Sequence, residues 1–456
     1  MTVRLHSGRG RGVLLATVLG SGIAFLDSTV VNVALPVLGR ELHAGMSGLQ
    51  WTMDGYLLTL TALLLLGGSL GDALGRRKTF IAGLVWFALA SAACGLAPSI
   101  GALIAARALQ GIGAALLVPG SLAVLRSSFA EAEQGQAVGA WTGFSGVTSA
   151  LGPLVGGWLI GAWSWRLAFF INLPLAALAV WVGLRCIPES RAPGATRLDW
   201  PGAIAATLGL GGAVYALIEA PAQGPGVAAG GAAGAALLAA FLWIEARRES
   251  PMLPLGLFRS RQFSGANAVT LAVYFALSGS TFLLILHLQG VLGYSPLAAG
   301  AALTPIMVLM LVLSPYAGRV ATRLGYRAPM TVGSLIAGGG VALLAGAGRG
   351  SSYVSGVLPG IAVLGLGMAI LIAPLTTAVL AGVEERHAGI AAAVNTAVAR
   401  LAGLLAFALL PLLAGIAAAD PASIAAGFPR AMWICAGASV AGGLCALAAL
   451  RRPDSR

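Results

Sequence analysis

Apolar stretches of about 20 residues recur along the whole chain, separated by short polar segments. Each is long enough to cross a ~30 Å hydrocarbon core as a helix. The pattern predicts fourteen spans, at 13–38, 51–71, 79–97, 100–122, 137–161, 167–187, 200–220, 226–246, 263–289, 296–317, 329–348, 353–380, 388–414 and 430–450. A transmembrane barrel is excluded, because its strands are ~10-residue segments that alternate apolar and polar. Arg4, Arg9 and Arg11 precede the first stretch as they would in a signal peptide. That stretch is too long for such a segment, carries Asp27 and is followed by many more spans, so it reads as a retained first helix.

An even number of spans puts both termini on one side. Loops on that side hold 21 of the 27 basic residues and the opposite loops hold 4, with Arg107 and Arg400 inside spans. The bias places both termini in the cytoplasm. Residues 188–199 and 247–262 are the longest charged connections, and they bracket the spans at 200–220 and 226–246. Three segments follow: an N-terminal six-helix bundle at 1–187, two extra transmembrane helices with their linkers at 188–262, and a C-terminal six-helix bundle at 263–456. The turn within the extra pair is short and runs through Pro221, Gly224, Pro225 and Gly226. Gly71 to Lys78 after the second span is weakly repeated by Gly318 to Arg327 after the tenth. Repeated halves suit a transporter whose site lies between two bundles.

Composition narrows the class. Of 456 residues, 58% are hydrophobic and 9% charged, against about 25% charged in soluble domains. The formal charge of +12 would point to nucleic acid in a soluble protein. Here it reports membrane orientation, and no nucleic-acid partner is expected. Lys78 is the sole lysine, which with the abundance of Ala and Gly points to a high-GC genome. Cys94, Cys186, Cys435 and Cys445 have neither metal-ligand spacing nor a disulfide framework. No nucleotide loop, metal cluster or nucleophile constellation is present. The chain is therefore expected to be no enzyme, to carry no cofactor or metal, and to draw energy from an ion gradient.

Candidate chemistry lies in the polar residues inside spans. Asp27 sits near the middle of the first span, where an ionised carboxylate costs at least ~2.5–3.5 kcal/mol unless paired or hydrated. It reads as a protonatable group on a transport path and as the only acid deep inside a span. At 1.5 Å per residue, Asp27 is ~15 Å and Arg107 ~10 Å below the outer membrane face, so the two are expected to approach each other. Asp54 and Glu219 lie nearer that face and read as water-facing, and Asp54 is kept as a further proton-coupling candidate. Between residues 263 and 419 the only acids are Glu384 and Glu385, in a loop. Asn32, Asn267, His287, Asn395 and Arg400 are candidate cavity residues. A lone histidine near a helix end also reads as interfacial, and His287 can titrate near neutral pH.

The segment Gly68-Ser69-Leu70-Gly71-Asp72-Ala73-Leu74-Gly75-Arg76-Arg77-Lys78 resembles the loop signature of the major facilitator superfamily. Arg107 to Ala115 resembles that superfamily's intramembrane arginine motif. Gly152-Pro153-Leu154-Val155-Gly156-Gly157 resembles its antiporter motif, with Thr148 where glycine is common. Leu26 to Pro36, Trp165 to Pro174 and Leu198 to Gly202 are similar to motifs of the fourteen-helix drug:proton antiporters. The resemblance covers nearly the whole chain. It implies an all-α polytopic membrane protein with the major facilitator fold, two six-helix bundles plus an inserted helix pair. It also implies a latch at Gly68, Asp72, Gly75, Arg76 and Arg77, with Asp72 at a helix N-terminus where the dipole favours an anion. The second copy has Thr322 where an acid would sit, so no latch is expected there. Proton coupling falls on Asp27, Arg107 and Asp54, and antiport on Gly152, Pro153, Gly156 and Gly157. Asp199 and Pro201 read as a plain interfacial helix start.

These readings lead to a monomeric proton-coupled antiporter of the bacterial cytoplasmic (inner) membrane. It would export amphiphilic or cationic compounds by alternating access, with protons, a small-molecule substrate and the lipid bilayer as partners. The alternatives are a dedicated exporter of a lipid or an endogenous natural product and, more remotely, a membrane sensor or scaffold.

Overall fold

The computed structural model describes residues 3–191, 198–222, 224–248, 251–348, 350–384 and 387–450. Arg197, Arg349, Glu385, Arg386, Arg451, Arg452 and Arg456 lie outside the described residues, as do the side chains of Thr322 and Arg323. Among the described residues, fourteen helices are long and apolar enough to cross a membrane. They are α1 (Gly8–Glu41), α2 (Met46–Leu74), α3 (Arg76–Leu96), α4 (Ile100–Ser128), α5 (Glu131–Ala162), α6 (Leu167–Cys186) and α7 (Trp200–Ile218). The others are α8 (Pro225–Arg247), α9 (Arg261–Gly290), α10 (Pro296–Ala321), α11 (Arg327–Leu344), α12 (Tyr353–Ala381), α13 (Ala388–Ala414) and α14 (Pro421–Ala449). Helices suit the bilayer because each satisfies its own backbone polar groups.

Several helices outlast their apolar runs, because polar caps extend them. Ser7 accepts the Gly10 N–H at 3.0 Å, so α1 starts before the predicted boundary and takes in Arg9 and Arg11. Ser99, Ser260 and Asp420 cap α4, α9 and α14 in the same way. At the other end of α3, Arg166 Nη1 donates to Gly95 O at 2.8 Å and Ala97 O at 2.9 Å. A cation there complements the helix dipole. Trp165 is fully buried beside it and donates to Glu41 at 2.8 Å.

The chain forms two compact units. The first contains Met1–Ala216 and Pro225–Leu253, and the second contains Leu217–Gly224 and Pro254–Arg456. Within the first, α1 packs on α5 and α6, α2 on α4, and α3 on α4 and α6. Within the second, α9 packs on α13 and α14, α10 on α12, and α11 on α12 and α14. Adding eight to each helix number of the first set yields the second. The repeat is thus a six-helix pattern used twice, with α7 and α8 inserted between the copies.

The inserted helices pack on each other through glycine. A Cβ on Gly212 would lie 2.8 Å from Gly234 Cα, and one on Gly209 would lie 2.9 Å from Leu238 N. Small residues allow this close approach where lipid supplies no hydrophobic drive between helices. A Cβ on Gly211 would meet Leu58 of α2 at 3.6 Å, in ordinary contact. Most of α8 stays exposed, with only 6% of its apolar window buried.

The α11–α12 contact tests this packing. A Cβ on Gly340 would lie 2.7 Å from Leu364 Cα, whereas one on Gly339 would meet nothing within 4 Å. Gly340→Val is expected to lower stability by ~1–3 kcal/mol through overpacking, and Gly339→Ala to leave it unchanged. Thermal melts of both variants in detergent provide the comparison.

Candidate functional site

Asp27 of α1 lies at the centre of a polar cluster inside the first unit. Its Oδ2 accepts from Arg107 Nη1 of α4 in an ion pair with both side chains fully buried. Its Oδ1 accepts from Gln110 Nε2 at 2.8 Å and from Asn172 Nδ2 at 3.0 Å. Gln110 and Asn172 also donate to Ser91 Oγ, at 3.2 and 3.0 Å. Ser91 in turn donates to Phe169 O at 2.9 Å. Helices α1, α3, α4 and α6 each contribute a side chain to the cluster.

Arg107 is held through Nε, Nη1 and the face of its guanidinium. Its Nε donates to Thr52 O at 3.2 Å, and its Nη1 reaches Gln110 Oε1 at 2.7 Å. The guanidinium lies 4.3 Å from the Tyr56 ring centroid and 5.9 Å from that of Phe169. These aromatic faces add cation–π attraction to a desolvated cation. Tyr56 OH donates to Ala24 O at 3.3 Å, which ties α2 to α1. Arg107 Nη2 and Asn172 Oδ1 are buried with no hydrogen-bond partner among the described residues.

The helical register explains the arrangement. Arg107 and Gln110 are three residues apart and share a face of α4, so one helix presents a cation and an amide to the same carboxylate. Gln110 and Asn172 stand within sequence motifs, yet neither has a role legible from spacing alone. Ser91 has no motif at all. Its signal is a hydroxyl in an otherwise apolar third span.

The antiporter-like glycines build the wall beside this cluster. Gly152, Pro153, Gly156 and Gly157 of α5 are all buried. A Cβ on Gly152 would strike Thr29, and one on Gly156 would lie 2.7 Å from Val30 Cγ1. Both neighbours follow Asp27 on α1. Thr148, one turn before Gly152, faces Gly22, where an added Cβ would approach it to 3.2 Å. The threonine fills space that a glycine at 22 leaves open.

Other candidates fall differently. Asp54 is fully buried, and neither carboxyl oxygen has a partner among the described residues. The reading of Asp54 as water-facing is therefore corrected, and Asp27 is not the only enclosed acid. A helix brings polar residues inward by its rotation, not by its depth alone. Glu219 is half-buried. Asp72 lies in the last turn of α2 and not at a helix N-terminus. Gly75 follows at φ 118° and reverses the chain into α3, a conformation that suits glycine. Arg76, the first residue of α3, donates to Asp72 Oδ1 from Nε at 2.9 Å and Nη2 at 2.7 Å. Each charge occupies the unfavourable end of its own helix dipole, and pairing offsets both. Gly68 lies near Pro119 of α4, which an added Cβ would meet at 3.7 Å.

Sequence reasoning missed Glu189. Its Oε1 accepts the Arg77 N–H at 3.1 Å, and its Oε2 lies 3.9 Å from Arg77 Nε. Ser190 O accepts the Arg76 N–H at 2.9 Å. The loop is thereby fixed to the chain that follows α6.

In the second unit, Asn395 of α13 donates to Asn267 Oδ1 at 3.1 Å and to Thr270 Oγ1 at 2.7 Å, both on α9. Arg400 is half-buried and close enough to Tyr274 to interact electrostatically. His287 is not interfacial. It is 2% exposed, stacks on Phe428 at 4.0 Å between centroids and shares a 2.7 Å hydrogen bond with Ala347 O. In the first unit Asn32 is half-buried, with a buried Oδ1 that lacks a partner.

The sequence profile of the Major Facilitator Superfamily matches residues 17–407. The chain belongs to this superfamily. It is a multi-pass membrane transporter of small molecules and not an enzyme. It is 36% identical over 401 residues to the multidrug resistance protein Stp of Mycobacterium tuberculosis, covering 87% of this chain and 74% of that protein. It is 34% identical over 414 residues to the tetracenomycin C resistance and export protein of Streptomyces glaucescens, covering 89% and 76%. A crystal structure of a POT family transporter with a thioalcohol-conjugated peptide matches with a TM-score of 0.74 at 15% identity, covering 97% of each chain. A bacterial homolog of the human lysosomal transporter Spinster matches with a TM-score of 0.68 at 17% identity, covering 98% of this transporter and all of that chain. These two structures share its fold.

The cluster's energetics can be measured directly. Arg107→Ala leaves a buried carboxylate without its cation and is expected to cost ~3–5 kcal/mol. Asp27→Asn/Arg107→Ala should cost less than the two single changes added, with a coupling of ~0.5–3 kcal/mol. Additive losses in chemical or thermal unfolding would show that the two groups do not support each other.

Proposed function

We propose that this transporter exports amphiphilic small molecules, antibiotics among them, in exchange for protons. The observation that carries the reading is Asp27, a carboxylate enclosed among donors and paired with a buried arginine. Ionisable groups held inside membrane helices mark ion and proton routes by default. The names of the relatives, which include multidrug resistance and antibiotic export proteins, support drug efflux as the task.

Ionised Asp27 holds Arg107, Gln110 and Asn172 around it. A proton on the carboxyl removes the charge that Arg107 pairs with, weakening the hub where five helices meet. An arginine stays charged whether or not the carboxyl does, so a proton changes one side of the pair alone. Asp54 is a second protonatable group, since a carboxyl enclosed without donors is stable in its neutral form. Gly152 and Gly156 let α5 lie against α1 and move past it as the hub changes. Exposure of the substrate site then alternates between the two membrane faces. Asn32 in the first unit, and Asn267, Asn395 and Arg400 in the second, supply fixed polar contacts, each among apolar and small side chains of the kind that tolerate varied partners.

The transporter acts as a monomer in the cytoplasmic membrane with both termini in the cytoplasm, as the distribution of arginines supports. A second reading is dedicated export of one natural product. It is favoured by relatives named for single compounds, tetracenomycin C and actinorhodin.

Proteoliposomes with an imposed pH gradient test the reading, with cationic dyes, lipids and polyketide antibiotics screened in parallel. Asp27→Asn is expected to stay folded and inserted but to lose uphill transport by ~10²-fold or more, the range of a lost proton-transfer group. Full gradient-driven transport by that variant would remove Asp27 from coupling. Asp72→Asn, which breaks the pair with Arg76, is expected to slow turnover while substrate affinity changes by no more than about fivefold, since an exposed ion pair contributes only ~0.2–1 kcal/mol. A collapse of affinity without slower turnover would contradict a gating role.

A further inference from the structure

The inserted helix pair holds two buried acids that transport by way of Asp27 does not use. Asp199 and Glu245 are each 2% exposed. Asp199 precedes α7, and its Oδ1 accepts the Gly202 N–H at 2.9 Å and lies 3.1 Å from Arg248 Nη2. Glu245 is in the last turn of α8, and its Oε2 accepts the Leu253 N–H at 2.9 Å. Asp199 Oδ2 and Glu245 Oε1 remain, both buried without a hydrogen-bond donor among the described residues.

These two oxygens face the same point. A Cβ built on Gly202 would lie 2.7 Å from Asp199 Oδ2 and 2.9 Å from Glu245 Oε1. With both distances this short, the two oxygens are near neighbours across that point. Arg248 is the only cation in ion-pair contact with them among the described residues. Arg247 stacks on Trp243 instead, 4.4 Å from its ring centroid.

Among the described residues, two carboxylates face one guanidinium, and a net negative charge in a buried place is costly. Two ionised carboxylates also cannot hydrogen-bond to each other, since both only accept. One proton resolves both problems. We propose that Asp199 and Glu245 form a proton-binding site, in which Glu245 carries one proton on Oε1 and donates it to Asp199 Oδ2. Asp199 is the acceptor, with its Oδ1 already held by the Gly202 N–H and by Arg248. All four carboxyl oxygens then have partners. The shared proton ties the start of α7, the end of α8 and the backbone at Leu253 into one clasp. None of these groups belongs to the Asp27 cluster, so the inference does not rest on the transport reading.

Infrared difference spectroscopy of the full chain in lipid nanodiscs tests it. At neutral pH the protein should show a protonated-carboxyl C=O band that shifts on deuteration and on labelling glutamate with ¹³C at its carboxyl carbon. Glutamate labelling separates this band from any arising at Asp27 or Asp54. Glu245→Gln should abolish it, and Asp199→Asn should move or remove it by changing its acceptor. Should Glu245→Gln fail to fold, the labelled wild type and Asp199→Asn still decide the matter. No glutamate-derived band at neutral pH, or one that persists in Glu245→Gln, overturns the proposal. Absence of the band together with a lower melting temperature once sodium and divalent cations are removed would also overturn it, placing a metal cation between the carboxyls instead.

Discussion

A charge cannot be left alone in a membrane protein's interior, and in the first unit this constraint organises the centre. Arg107 and Asp27 neutralise each other, but two groups of that size still need hydrogen bonds for the remaining lone pairs and protons. Gln110, Asn172, the backbone oxygen of Thr52 and the ring of Tyr56 meet that need. Five helices are thereby committed to one point: α1, α2, α3, α4 and α6. Well-packed apolar residues would often serve stability as well or better. On the proposed reading, the pair's worth lies in having two states, since a proton can switch one partner and not the other.

Around that point the packing is permissive. The glycines of α5 against α1 hold the two helices close without interlocking large side chains, so relative movement costs little repacking. The same device joins α7 to α8 and α11 to α12. The cytoplasmic-type loop works in the opposite sense. Arg76, Arg77, Glu189 and Ser190 lace the Gly75 reversal to the segment after α6 with directional polar contacts.

Much of the fold was legible because hydrophobic length is a direct readout of bilayer thickness, and fourteen runs became fourteen helices. Asp27 and Arg107 could be singled out for the same reason, being polar where lipid forbids it. Depth alone failed for Asp54 and His287. Both lie near a membrane face, but helix rotation turns them into the interior, and rotation is set by neighbours that a single chain of letters does not reveal. Asp72 was misplaced because α2 runs on through the loop signature, carrying it to a helix end of the opposite polarity. Ser91 and Glu189 stayed unread because their roles exist only through partners some twenty to more than a hundred positions away.

Thr148 and Gly22 sit opposite one another on α5 and α1, the larger side chain occupying the room the smaller one leaves. What the interface fixes there is neither residue but their combined volume. A lineage that acquired glycine at 148 would open a gap beside Asp27 that a bulkier residue at 22 could close. Alanine at 22 would require Thr148 to give by only a few tenths of an ångström, so the side chain that fits at one position depends on the one at the other.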